Sequence, residues 1–201
     1  MIAIEEALTD KVPSEALSYC VQLWVDFPFQ FKLSRSRSSK LGDYRFDPRN
    51  GDHIVTVNTD LNPYQFLVTF VHEVAHRKVH RSRSGQKPHG PEWKQTFQNL
   101  MLPLLRPDVF PDDILRVLAR HMKNPKASTA ADPMLLRVIS NYDLEKYAGP
   151  TLAEISVGDE FVFRERAFKK LQAKRTRALC LDLGNQRKYL IPMLVQVEVL
   201  G

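Results

Sequence analysis

The sequence predicts an α+β chain: a small three-stranded antiparallel sheet packed on helices, followed by a small β-rich C-terminal module. Three observations predict it. Capped or amphipathic helical segments and short β-branched runs share the first 124 residues. A linker-like stretch, NPKASTAADP (124–133), then interrupts the pattern. From Thr151 onward, short strand-like runs follow one another with turn-forming or basic residues between them. The expected division is a first domain over 1–124, a linker with a short helix over 125–150, and a β-barrel-like module over 151–201.

Residues 13–26, PSEALSYCVQLWVD, read as an amphipathic helix. Pro13 suits its first turn, and Ala16, Leu17, Cys20, Leu23 and Trp24 recur at helical spacing. FQFKLS (29–34), LGDYRF (41–46) and HIVTVN (53–58) are the three strands, and Asn50-Gly51 predicts a hairpin between the second and third. A long helix follows over 62–81. Asn62 is its N-cap, Pro63 its first residue, and Gln65 completes a capping-box pattern. Its Val- and Phe-rich interior argues locally for strand, but caps and histidine spacing demand a helix, and burial supplies the missing propensity. RSRSGQKPHG is a loop, a helix starts at Pro91, DDILRVLARHM forms a third, and 134–147 carries a short helix. In the last module GDEFVF, AFKKLQ, RTRALCLDL, RKYLIP and LVQVEV are the strand candidates.

Composition narrows the class. Of 201 residues, 43% are hydrophobic and 26% charged, as in an ordinary globular chain. Two cysteines, Cys20 and Cys180, exclude a disulfide framework and a four-cysteine zinc ribbon. No stretch approaches the roughly 18 apolar residues of a membrane span, and the opening MIAIEEALTD lacks the pattern of a secretory signal. A cytoplasmic protein without membrane contact is expected. Lys plus Arg number 29 against 23 Asp plus Glu, a net charge of +6. The excess clusters at Arg77, Lys78, Arg81 and Arg83, at Lys169, Lys170, Lys174, Arg175 and Arg177, and around Lys32, Arg35, Arg37 and Lys40. Such clusters suit phosphate contacts to DNA. A solvated, slightly basic surface explains them as well.

The informative pentapeptide is His72-Glu73-Val74-Ala75-His76. On a helix, residues four apart share a face, so both imidazoles reach one ion. Glu73 is offset by about 100° and is placed to accept a proton from water near that ion rather than to ligate it. Two histidines and a carboxylate inside an apolar helix are costly unless paired or coordinated. A catalytic zinc site needs a third protein ligand and an open fourth position. His89, in a Pro-His-Gly-Pro turn, Glu92, in the first turn of the next helix, and His80, one more four-residue step along, compete for that place. Each such step drifts by about 40°, which carries His80 away from the shared face, and Glu92 also has a plain role beside its helix dipole.

Lys40-Leu41-Gly42-Asp43-Tyr44, His72-Glu73-Val74-Ala75-His76 and Pro88-His89-Gly90-Pro91-Glu92-Trp93 together resemble the SprT-like zinc metallopeptidase family, in its bacterial type, over roughly residues 13–124. The resemblance implies a zincin-like fold, one Zn²⁺ per chain held by His72, His76 and His89, a catalytic Glu73, a protein or peptide substrate, and action on DNA-associated proteins. Many members add a cysteine-liganded zinc module after the core, whereas this chain has only Cys180 in that region. The expected function is peptide-bond hydrolysis by metal-activated water. The competing expectation is a non-catalytic nucleic-acid-binding accessory protein with a structural zinc. His53, His121, Trp93, Trp24, Cys20 and Cys180 are read as structural, with Tyr44 a weak candidate donor to a substrate oxyanion.

Overall fold

Asn50-Gly51 turns the chain back on itself as its sequence demands: Gly51 takes a left-handed φ of 75°, a conformation that glycine adopts without penalty. The turn joins β2 (Gly42–Asp47) to β3 (Asp52–Asn58) as an antiparallel hairpin. The computed structural model describes residues 2–37, 40–80, 88–127, 131–143, 149–163 and 165–200. They form two units, 1–143 and 144–201.

In the first unit α1 (Ile2–Leu8), which the sequence reading does not contain, and α2 (Ser14–Asp26) precede β1 (Gln30–Ser34). The sheet order is β1-β3-β2. Here the expectation of an all-antiparallel sheet is corrected: β1 runs parallel to β3, with Gln30 opposite Ile54 and Ser34 opposite Asn58. The reason lies at the C-terminal end of β3. Ser34 leaves the sheet beside Asn58, and Gly42 enters beside Val57 on the other flank. The chain therefore crosses over the end of β3, a span of about two strand spacings or roughly 10 Å, instead of returning along its side. Asn58, buried at 1% exposure, ties this crossing together. Its Oδ1 accepts from the Ser34 hydroxyl and from Arg37 Nε, and its Nδ2 donates to the Lys40 carbonyl.

Asn62 begins α3 (Pro63–Val79) with its side chain accepting from the Gln65 amide at 3.0 Å. Every residue from Gln65 to Val71 is buried, and the helix packs on β3 and β2. Burial on all sides is what allows a Val- and Phe-rich segment to be helical. α4 (Pro91–Met101) packs on α3, a single 3₁₀ turn (Leu102–Leu104) follows, and α5 (Asp112–Met122) comes next. α6 (Pro133–Ser140) packs on α5, and its Leu135 and Ile139 join the core of this unit together with Phe66, Phe70 and Phe110. The short helix expected in a linker thus serves the first unit. Among the described residues no helix is long and apolar enough to cross a membrane.

The second unit is a five-stranded antiparallel sheet of order β7-β6-β5-β4-β8, built from β4 (Glu160–Phe163), β5 (Arg166–Ala173), β6 (Arg177–Asp182), β7 (Lys188–Pro192) and β8 (Glu198–Leu200). Phe161, Phe168, Cys180, Ile191 and Val197 form its own core. Period two along β5 places Lys170 inward beside Phe168. Its ammonium is satisfied there, donating to the Leu152 and Ile155 carbonyls at 2.7 and 2.6 Å.

Candidate metal centre

The i, i+4 spacing on α3 and the turn before α4 deliver three imidazoles to one point. His72 Nε2 lies 3.2 Å from His76 Nε2 and 3.2 Å from His89 Nε2, and the last two are 3.0 Å apart. Three neutral rings cannot satisfy such a triangle with hydrogen bonds. An N–H on any one of the facing atoms serves one contact, and another pair then meets lone pair to lone pair. Burial, followed by the charges of His76 and His89, holds His72 well below the usual imidazole range. Burial and then His89 bring His76 down to about 4, and burial lowers His89. All three rings are thus neutral near pH 7, the form that ligates metal. Among the described residues these three histidines are the one group able to offer three ligands to a single ion.

The surroundings keep the triangle in shape. Gly90, the N-cap, and Pro91, the first residue of α4, fix the turn that carries His89. Trp93, on the first turn of α4, is 2% exposed and touches all three rings, with centroids 4.5, 5.2 and 4.7 Å from those of His72, His76 and His89. His80 goes elsewhere. It ends α3 against Phe46, Tyr44 and His53, and so is no member of the triangle. Glu92 is not part of it either.

Beside the histidines opens a cleft of about 550 Å³, walled by Gly42, Asp43 and Tyr44 from β2 and by His72, Glu73 and His76 from α3. Glu73 is 6% exposed. Its burial, and secondly the charge of Asp43, push its carboxyl up to about 8, against a hydrogen bond from the Tyr44 main chain. A cation near a carboxylate reverses such a shift. Burial also works against ionising Asp43, yet hydrogen bonds and charge from Arg37 and Lys40 outweigh it and hold that carboxyl below the usual range. Gly42 is required here by close approach. A Cβ on it would stand 2.7 Å from Thr69 Cγ2 and 3.1 Å from Glu73 Cγ.

One residue on the cleft wall is, by the sequence alone, expected to be merely structural. His121, 4% exposed at the end of α5, lines the same cleft, and its Nδ1 lies 2.9 Å from Asp132 Oδ2. The signal for it is faint: Asp132-Pro133 reads as a helix start, but nothing in the spacing joins Asp132 to His121.

The basic residues fare unevenly. Lys170 is corrected: its buried, carbonyl-bound ammonium is closed to phosphate. Arg77 Nε donates to the Pro28 carbonyl, Lys78 sits 5.0 Å over the Phe27 ring, and Lys169 pairs with Glu160. Lys174, Arg175 and Arg177 are exposed where β5 turns into β6. Arg81 and Arg83 lie outside the described residues. Compared with family models, curated proteins and solved structures, the chain matches none.

Proposed function

We propose that this chain is a zinc-dependent metallopeptidase of the SprT-like, zincin-like kind that hydrolyses peptide bonds in protein or peptide substrates. The observation that carries the reading is the triangle of Nε2 atoms at 3.0–3.2 Å, set on the wall of a cleft with Glu73 beside it. A tetrahedral set with metal–nitrogen bonds of ~2.0–2.1 Å has its nitrogens about 3.3 Å apart, so the donors fit zinc with little adjustment. Three protein ligands facing open space is the pattern of a catalytic rather than a structural zinc. His72, His76 and His89 would hold one ion per chain.

Zinc held there would supply a Lewis acid able to make water acidic and to polarise a carbonyl. The protein's own part begins with Glu73, whose carboxylate takes a proton from the attacking water as the water oxygen bonds to the carbonyl carbon. As the C–N bond breaks, Glu73 returns that proton to the leaving nitrogen, so atoms and charge balance. Glu73, at 6% exposure, is shielded from bulk water that would compete for this proton. Nucleic-acid binding, and with it action on DNA-associated proteins, has narrower support: of the basic residues named above, Lys174, Arg175 and Arg177 stand together and exposed.

The deciding experiment compares wild type with Glu73→Gln. Both should carry about one zinc per chain by metal analysis, and the variant should lose casein or self-cleavage by at least ~100-fold. Cleavage at the wild-type rate by the Gln variant would remove Glu73, and the peptidase chemistry built on it.

A further inference from the structure

We propose that His121, oriented by Asp132, is a further catalytic residue of this cleft, donating a hydrogen bond to the scissile carbonyl oxygen as that oxygen gains negative charge. The proposal rests on the peptidase reading above. Position 121 belongs to the apolar stripe of α5: Ile114, Val117 and Leu118 stand at i−7, i−4 and i−3 and are all buried. An apolar side chain is the default there, and a histidine in such a stripe is costly unless bonded. His121 nevertheless lines the same cleft as His72 and Glu73.

The ring is fixed from behind. Asp132 is anchored as the N-cap of α6, its Oδ1 accepting from the Leu135 amide at 3.2 Å while Oδ2 takes His121 Nδ1 at 2.9 Å. The end of α5 is held in turn to α4, through Gln98 to the Met122 carbonyl and Lys94 to Asn124. With Nδ1 committed to Asp132, Nε2 is the one nitrogen left to serve the cleft. In the imidazolium form both nitrogens donate, Nδ1–H to the Asp132 carboxylate and Nε2–H toward the cleft. During hydrolysis the water oxygen bonds to the carbonyl carbon and the C=O π pair moves onto oxygen. Nε2–H then stabilises that charge without giving up its proton, and Glu73 alone carries the transferred proton.

The test uses the full chain loaded with zinc. His121→Gln should lower kcat by ~10²-fold, with KM within about twofold and zinc content unchanged. Its affinity for a phosphinic peptide, whose tetrahedral anion imitates the charged oxygen, should fall by a similar factor, while affinity for the cleaved product peptide should not. Because His121 is buried, Asp132→Asn is the companion variant: it keeps a good helix cap and similar volume, and should lose ~10-fold in kcat with an unchanged Tm. A folded, zinc-loaded His121→Gln with wild-type kcat overturns the proposal. So does a kcat loss in Asp132→Asn that only tracks lost zinc or lost Tm, the mark of a simple weld between helices. If wild type cleaves, Glu73→Gln is dead and both new variants match wild type, the present inference alone fails. If zinc-loaded wild type cleaves nothing, the peptidase reading fails and takes this one with it.

Discussion

Two groups of histidines meet at α3, one around His72 and His76 within it and one around His80, its C-cap, and they differ in what their nitrogens face. His72, His76 and His89 turn Nε2 toward a common point, 3.0–3.2 Å from one another. His53 and His80 instead join Tyr44 and Phe46 in a cluster of ring contacts. His53 Nδ1 is spent on the Tyr44 hydroxyl at 2.7 Å, and the His80 ring lies 4.5 Å from that of Phe46. Both groups have lowered pKa values with burial as the main cause. Burial and basicity therefore do not distinguish them. Convergence of lone pairs does, and it comes from one rigid helical turn plus one loop.

The comparison breaks most sharply by deletion. His76→Ala should lower zinc affinity beyond the roughly 10–100-fold cost of disturbing an outer partner, whereas His80→Ala should leave zinc content unchanged, both by metal analysis after dialysis. Equal losses from the two variants would erase the distinction.

Acid gives the next largest effect. In metal-free protein His76 is depressed to about 4 from an ordinary 6.5. Between these values the unfolded chain binds more protons than the folded one, so stability falls as pH drops from about 6.5 to about 4. The loss should reach roughly 3 kcal/mol for His76 alone. Urea melts across that range should show it, and His76→Ala should make it shallower, with His72 and His89 still contributing in the same direction. The smallest effect belongs to the second group: Tyr44→Phe removes the bond to His53 and should cost about 1 kcal/mol by denaturant midpoint, without changing zinc content.

Local signals were legible before the structure. Asn62-Pro63, Asn50-Gly51 and the histidine spacing each act within a few residues, and each does in the fold what its chemistry predicts. His89 is favoured over Glu92 and His80 by its Pro-His-Gly-Pro turn on a loop long enough to fold back, and the motif resemblance points to it independently. What stayed hidden depends on distant partners. The direction of β1 is set by where the chain crosses β3, and Asn58, which secures that crossing, looks like any strand-end asparagine. The inward turn of Lys170 was hidden because the carbonyls of Leu152 and Ile155 that receive it lie in a different segment. The pair His121–Asp132 escaped for the same reason, one partner being assigned to a helix end and the other to a linker.

Gly42 has a consequence for anyone reshaping this protein. Because a single methyl at that position would strike both Thr69 and Glu73, the rim of the groove and the acid at its side are in gear. Any side chain added at position 42 has to displace Thr69 or Glu73, so the width of the cleft at β2 and the position of that carboxyl change together.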